Sequence, residues 1–156
     1  QRRLRLWGIV LCANLVGAAV FALASVAPYF LSDALRAGVG TVSHHLMANS
    51  AAEMFFKGIP AGWLIAALVW VQPSVKVAKF FVILFFTWLI ALGGFTHVIA
   101  GSVEAFHLLF AGEVGLQAVV LHFFLPVLAG NVIGDSAVFA LLSYAQVRRE
   151  VEMIRE

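Results

Sequence analysis

The sequence predicts an all-α transmembrane fold with one broken helix and a partial inverted repeat, and three observations carry that reading. Hydrophobic residues make up 63% of the chain and charged residues 12%, where soluble domains run near 25% charged. Mean hydropathy is +1.00. An apolar run from Phe80 to Ala111 holds 32 residues, with His97, Glu104 and His107 as its ionisable groups. A straight helix needs only about 20 residues to cross a hydrocarbon core about 30 Å thick. Lastly, Lys and Arg cluster at the ends of apolar segments, as expected of membrane spans.

Four apolar segments follow in order: Leu6–Phe30, Ala51–Val71, Phe80–Ala111 and Val114–Tyr144. Polar and apolar residues do not alternate as in a barrel strand, so helices are the expected spanning form, joined into a single membrane domain over residues 1–156. Cys12, alone in the first segment, permits no internal disulfide and reads as a small packing residue. The chain begins at Gln1 without a signal-peptide pattern and reads as part of a longer protein. The formal charge of +2 does not point to nucleic acid, because the basic residues sit at span ends.

Charge placement predicts orientation. Arg2, Arg3, Arg5, Lys76, Lys79, Arg148, Arg149 and Arg155 fall on one side of the four spans; Arg36 and Lys57 fall on the other. The positive-inside rule then puts both ends of the chain in the cytoplasm.

The third segment is too long for one span and too apolar for a loop. Gly93, Gly94 and Gly101 bracket its middle, where a break is expected. Unwound backbone at membrane depth is tolerated where protein buries it or where it lines a cavity. The fourth segment, with Pro126 and Gly130 before Asn131, is expected to bend as well.

An internal echo links the first and fourth segments. Asn14-Leu-Val-Gly17 followed by Ala19-Val-Phe-Ala-Leu-Ala-Ser25 resembles Asn131-Val-Ile-Gly134 followed by Ala137-Val-Phe-Ala-Leu-Leu-Ser143. The two segments run in opposite directions under the charge rule, which fits the inverted repeats of transporters. The plain alternative is that Gly17 and Gly134 let helices pack closely.

His97 is the leading functional candidate. An ionisable side chain within a span marks a solute or proton path by default; a structural histidine bonded to a carbonyl is the alternative. Thr96 offers a neighbouring hydroxyl, and Asn14 and Asn131 offer amides able to satisfy broken backbone. Asp135 either pairs within the bundle or reaches toward water. His44-His45 reads as a solvated loop, since a closed zinc site needs about four ligands. Haem ligation by His97, His107 and His122 is disfavoured by their unequal spacing, and no cofactor is expected. Lys57 and Glu53 read as a structural i, i+4 pair. The sequence has no P-loop, nucleophile elbow, catalytic carboxylate pair or CxxC, so an enzyme is not expected.

Taken together, these residues resemble the formate/nitrite transporter family. Asn14-Leu-Val-Gly17 is similar to its third span. Phe56-Lys-Gly-Ile-Pro-Ala-Gly-Trp63-Leu64 with Val69-Trp70 is similar to its fourth. Gly94-Phe95-Thr96-His97 resembles the Gly-Phe-Glu-His of its broken fifth, and Gly130-Asn131-Val-Ile-Gly134 its sixth. The resemblance implies that the chain holds the last four of six helices of an aquaporin-like protomer. It further implies a homopentamer in a bacterial inner membrane, with one pore per protomer for small monovalent anions. The family's pore histidine maps onto His97, a constriction onto Ile90, and fourth-span lining onto Gly62 and Ile65. Three departures mark a divergent subgroup: Thr96 replaces the usual Glu, Gly101 the usual Asn, and His44, His45 and Leu46 occupy the place of an outer lysine.

Energetics favour a neutral permeant at such a constriction. An unpaired ion in low dielectric costs on the order of 10 kcal/mol or more. Protonating an acid of pKa about 4 at pH 7 costs about 4 kcal/mol. Passive or proton-coupled passage of a weak acid past His97 is therefore the expected mechanism. A channel for neutral solutes or water, and a non-transporting scaffold, are the rivals.

Overall fold

The structure, a computed structural model, describes residues 2–141, 144, 145, 147 and 148. Leu142 and Ser143 of the second repeat copy, and Arg149 and Arg155 of the charge pattern, lie outside the described residues. Among the described residues every regular element is helical: α1 (Arg2–Val26), α2 (Asp33–Met47), α3 (Ala51–Val71), α4 (Lys79–Leu92), α5 (Val98–Phe110) and α6 (Ala118–Leu141). α1, α3 and α6 are long and apolar enough to cross a membrane. α4 and α5 have 14 and 13 residues, about 20 Å each, so neither crosses alone. Leu6, Trp7, Val16, Val20 and Leu23 of α1 are exposed on this chain, as are Phe80, Phe81, Leu84, Phe85 and Trp88 of α4. Apolar surface of this extent suits lipid or further protein rather than water.

Several elements depart from expectation. α1 runs from Arg2 to Val26 rather than from Leu6 to Phe30. Pro28 disfavours helical backbone at the residue before it, and Tyr29 then turns the chain with a φ of 74°. Cys12 lies on an exposed side of α1, not in a core. The stretch holding His44 and His45 is helical rather than a loop. Ser32 caps α2, its Oγ accepting the Leu35 N–H at 3.3 Å, with Asp33 in the first turn. Glu53 closes a capping box at the start of α3: its carboxylate accepts the Ser50 N–H at 2.7 Å, and Ser50 Oγ accepts the Glu53 N–H at 3.2 Å.

α6 is regularly wound over Leu125–Val132 and π-wound on either side, over Ala118–Phe124 and Ile133–Val138. Pro126 has no N–H to offer the His122 carbonyl four residues back. The winding widens before it, and the Leu125 N–H reaches the Val120 carbonyl.

The chain divides into two compact units, each built from separate stretches. In the first, residues up to 54 join 98–126, and α1 and α2 both pack on α5. Its buried side chains include Ala18, Ala22, Leu46, Ala105, Leu108 and Phe123. In the second, residues 55–97 join those from 127 onward. Here α3 and α6 each carry a Gly-x-x-x-Gly, at Gly58/Gly62 and Gly130/Gly134, and meet backbone to backbone. A Cβ at Gly58 would lie 3.1 Å from the Val127 carbonyl oxygen, and one at Gly134 would overlap the Ile59 carbonyl. Small residues at this spacing let two membrane helices make close van der Waals contact, the main driving force for association when lipid is as apolar as the helices.

Candidate functional site: the unwound segment between α4 and α5

Within the second unit, α4 ends at Leu92 and the chain leaves the helix over residues 93–97. The exit is a Schellman turn. Gly94 adopts φ of 59°; its N–H donates to the Ala91 carbonyl at 3.1 Å, and the Phe95 N–H to the Ile90 carbonyl at 3.0 Å. Left-handed backbone costs an L-residue about 1–2 kcal/mol, and glycine escapes that cost. Gly93 is close-packed: a Cβ there would come within 2.6 Å of the Phe95 ring.

Past the turn, α3 and α6 take over the backbone's hydrogen bonds. The Thr96 N–H donates to the Lys57 carbonyl of α3 at 3.2 Å. The Asn131 side chain on α6 donates to the Thr96 carbonyl at 2.9 Å and to the Gly58 carbonyl at 2.9 Å. The N–H groups of Gly93, Gly94, Phe95 and Thr96 are thus all paired, as apolar surroundings demand. Thr96 and Asn131 are buried; His97, the residue after Thr96, is half-buried.

The sequence candidates separate into groups. Thr96, His97, Gly94, Ile90 and Asn131 all belong to this arrangement, Ile90 through its carbonyl. Gly62 does too, but as a contact point: a Cβ there would overlap the Asn131 carbonyl, so α3 and α6 close over it. Ile65 is half-buried on α3, and Asp135 is exposed on α6. Gly101 lies inside α5, not in the break, which closes at Val98. A Cβ at Gly101 would sit 2.7 Å from the Phe123 ring, so its role is packing in the first unit. Asn14 is exposed on α1 and donates to the Val10 carbonyl at 2.8 Å, a local bond unlike the one made by Asn131.

The first unit holds polar contacts that sequence reasoning missed. Fully buried Ser25 meets His107 Nδ1 at 2.7 Å while Ser25 Oγ donates to the Ala22 carbonyl at 2.6 Å. With its hydrogen so used, the hydroxyl accepts from Nδ1–H, which leaves Nε2 as the ring's other face. His122 Nε2 donates to the Asn49 carbonyl at 2.7 Å. His44 Nε2 pairs with Glu113 at 2.8 Å. Separations of 82 and 73 residues hide the first two from any local pattern. Among the described residues no group of three or more His, Cys, Asp or Glu is arranged to hold a metal ion.

Comparison with known proteins bears on this arrangement. The family model for formate/nitrite transporters matches residues 1–145. The chain is 40% identical over 153 residues to inner membrane protein YfdC of Escherichia coli, covering 98% of this chain and 49% of that protein. It is 32% identical over 100 residues to the uncharacterized transporter YwcJ of Bacillus subtilis, covering 62% of this chain and 39% of that protein. The chain therefore spans half or less of the length of these curated relatives. No solved structure matches it significantly. With a match over nearly its whole length and a broken, hydrogen-bonded segment between two apolar helices, this integral membrane chain belongs to the formate/nitrite transporter family.

Proposed function

We propose that this chain forms part of a transmembrane pore for small monovalent anions, or for the neutral weak acids derived from them, with His97 as the proton-exchanging group at its narrowest point. The observation that carries the reading is the unwound segment ending at His97, with the Thr96 N–H held by the Lys57 carbonyl and the Thr96 carbonyl by Asn131. An ionisable side chain at such a break within a membrane chain is a candidate to meet solute. On this reading Ile90, Thr96 and Ile65 line the path, Gly94 and Gly62 shape it, and Gly101 and Asn14 contribute to its surroundings. The protein acts as a transporter, not an enzyme.

The same reading takes α4 and α5 as the halves of one crossing in a single membrane domain, with both chain ends cytoplasmic. The chain supplies the last four of six helices in an aquaporin-like protomer. Spans one and four are related as an inverted repeat, and a homopentamer in a bacterial inner membrane is the working assembly. Charge placement and the family's known architecture support these points.

Thr96 favours one rival. Where the family pattern has a carboxylate, a threonine offers a neutral hydroxyl, which suits a channel for small neutral solutes. Uptake into proteoliposomes holding the full-length protein, with labelled small acids and a luminal pH dye, separates the two. Acid flux acidifies the lumen and neutral flux does not. Uptake of neutral solutes without any acid flux would overturn the proposal.

A further inference from the structure

α5 is an apolar helix with a carboxylate at its middle: Glu104 is the seventh of its thirteen residues. Between Phe80 and Ala111 it is the one acidic residue. The helix turns Val98, Gly101, Ser102, Ala105 and Leu108 into the packing of the first unit. Glu104 stands at the edge of that buried face, half-buried, and Ala100, one turn earlier on the same side, is exposed. The other ionisable groups of residues 98–126 are His107, Glu113 and His122. Each has a partner, in Ser25, His44 and the Asn49 carbonyl respectively. Glu104 makes no hydrogen bond or ion pair among the described residues.

A carboxylate in a membrane helix is costly against lipid, so such groups face protein partners or water-filled cavities. The described residues offer Glu104 no partner, and the strip of α5 through Ala100 and Glu104 is open. We propose that Glu104 borders the water-filled solute path and acts as a charge filter, whose negative charge disfavours an anion and lets the neutral acid pass. This role rests on the pore reading and narrows the solute to its uncharged form. Like charges repel more strongly beside low-dielectric walls than in bulk water. An uncharged acid meets the same carboxylate only as a hydrogen-bond acceptor.

The test uses the full-length protein in proteoliposomes at about pH 8, well above the ordinary carboxylate range, with Cys12 and every other cysteine replaced. Ala100→Cys and Glu104→Cys are made singly and treated from both faces with two small hydrophilic methanethiosulfonates, one bearing trimethylammonium and one bearing sulfonate. Both variants should react, because a water path reaches both positions. At Ala100→Cys the ratio of cationic to anionic labelling rates should fall at least about threefold when Glu104→Gln is added. The ratio should hold with Glu104→Asp, which keeps the charge. Neither position is fully buried, so these changes do not disturb a core. A Glu104→Cys that neither reagent reaches, or a ratio unmoved by Glu104→Gln, would overturn the filter. With the cysteines kept, Glu104→Gln should raise formate uptake severalfold at the same pH, where an acid of pKa about 4 is almost wholly anion. Wild-type uptake that Glu104→Gln leaves unchanged would also overturn it. If neither protein takes up formate while the labelling ratio behaves as expected, the filter stands and small acids fail as the solute.

Discussion

The side-chain amide of Asn131 donates to the main-chain carbonyl of Thr96 at 2.9 Å, and the same nitrogen reaches the Gly58 carbonyl at 2.9 Å. One residue on α6 thereby fastens the unwound segment to α3 and fixes the backbone just before His97. Asn131→Leu should lower stability by about 1–3 kcal/mol, since buried carbonyls lose their donor. Asn131→Asp should cost more, because an ionised carboxylate only accepts and would face two carbonyl oxygens. Thermal unfolding in detergent checks both; an aspartate variant as stable as wild type would mean these bonds are not made.

Gly94 sits where only a left-handed residue can end α4 and start the segment. Gly94→Ala should destabilise by about 1–2 kcal/mol, whereas Gly94→Asn, which tolerates this conformation, should recover much of that loss. Equal losses for the two, measured by the same unfolding assay, would point to lost space rather than backbone conformation.

The contact between α3 and α6 depends on glycine for a different reason. A Cβ at Gly134 overlaps the Ile59 carbonyl, so Gly134→Ala must push the helices apart. Its expected cost is about 1–3 kcal/mol. Because Asn131 is carried on the same helix, the variant should also loosen the Thr96 bond and reduce uptake. A variant with wild-type stability and uptake would show that the helices do not meet this closely.

Ser25→Ala removes the acceptor of a buried imidazole N–H and should cost about 1–3 kcal/mol. The pairing crosses 82 residues, so disruption should appear as weakened packing of α1 on α5 in hydrogen exchange. Unchanged protection of both helices would mean that the bond contributes nothing.

What could be read from sequence followed from length and composition. A run of 32 residues with paired glycines foretold the break between α4 and α5, because membrane thickness sets an absolute ruler. The ruler says nothing about which glycine is which. Gly94 turns the chain, whereas Gly101, equally conspicuous in the sequence, packs against Phe123. The helix that carries His44 and His45 is hard to see in the sequence because Gly38, Gly40 and its polar residues break the apolar pattern, and it buries only Ser43 and Leu46. The Asn14 and Asn131 motifs are alike in sequence yet make unlike bonds, one within its own helix and one to other segments. Hydrogen bonds between distant segments, such as Ser25 to His107, leave no periodic trace.

His97→Asn keeps a hydrogen-bonding side chain of similar reach and removes titration. With the full-length protein in proteoliposomes, wild-type uptake of a weak acid such as formate should rise as outer pH falls through the imidazole range. Each unit of pH below that range also increases the neutral acid about tenfold, so a rise alone does not identify the histidine. The decisive comparison is between each uptake curve and the neutral-acid fraction in solution. If His97 supplies and recovers the proton, the variant should carry the anion poorly and the neutral acid normally, and its uptake should track the neutral fraction in solution. The wild type should exceed that fraction near neutral pH. Coincident wild-type and variant curves, with intact assembly, would assign the proton to water and remove His97 from the chemistry of passage.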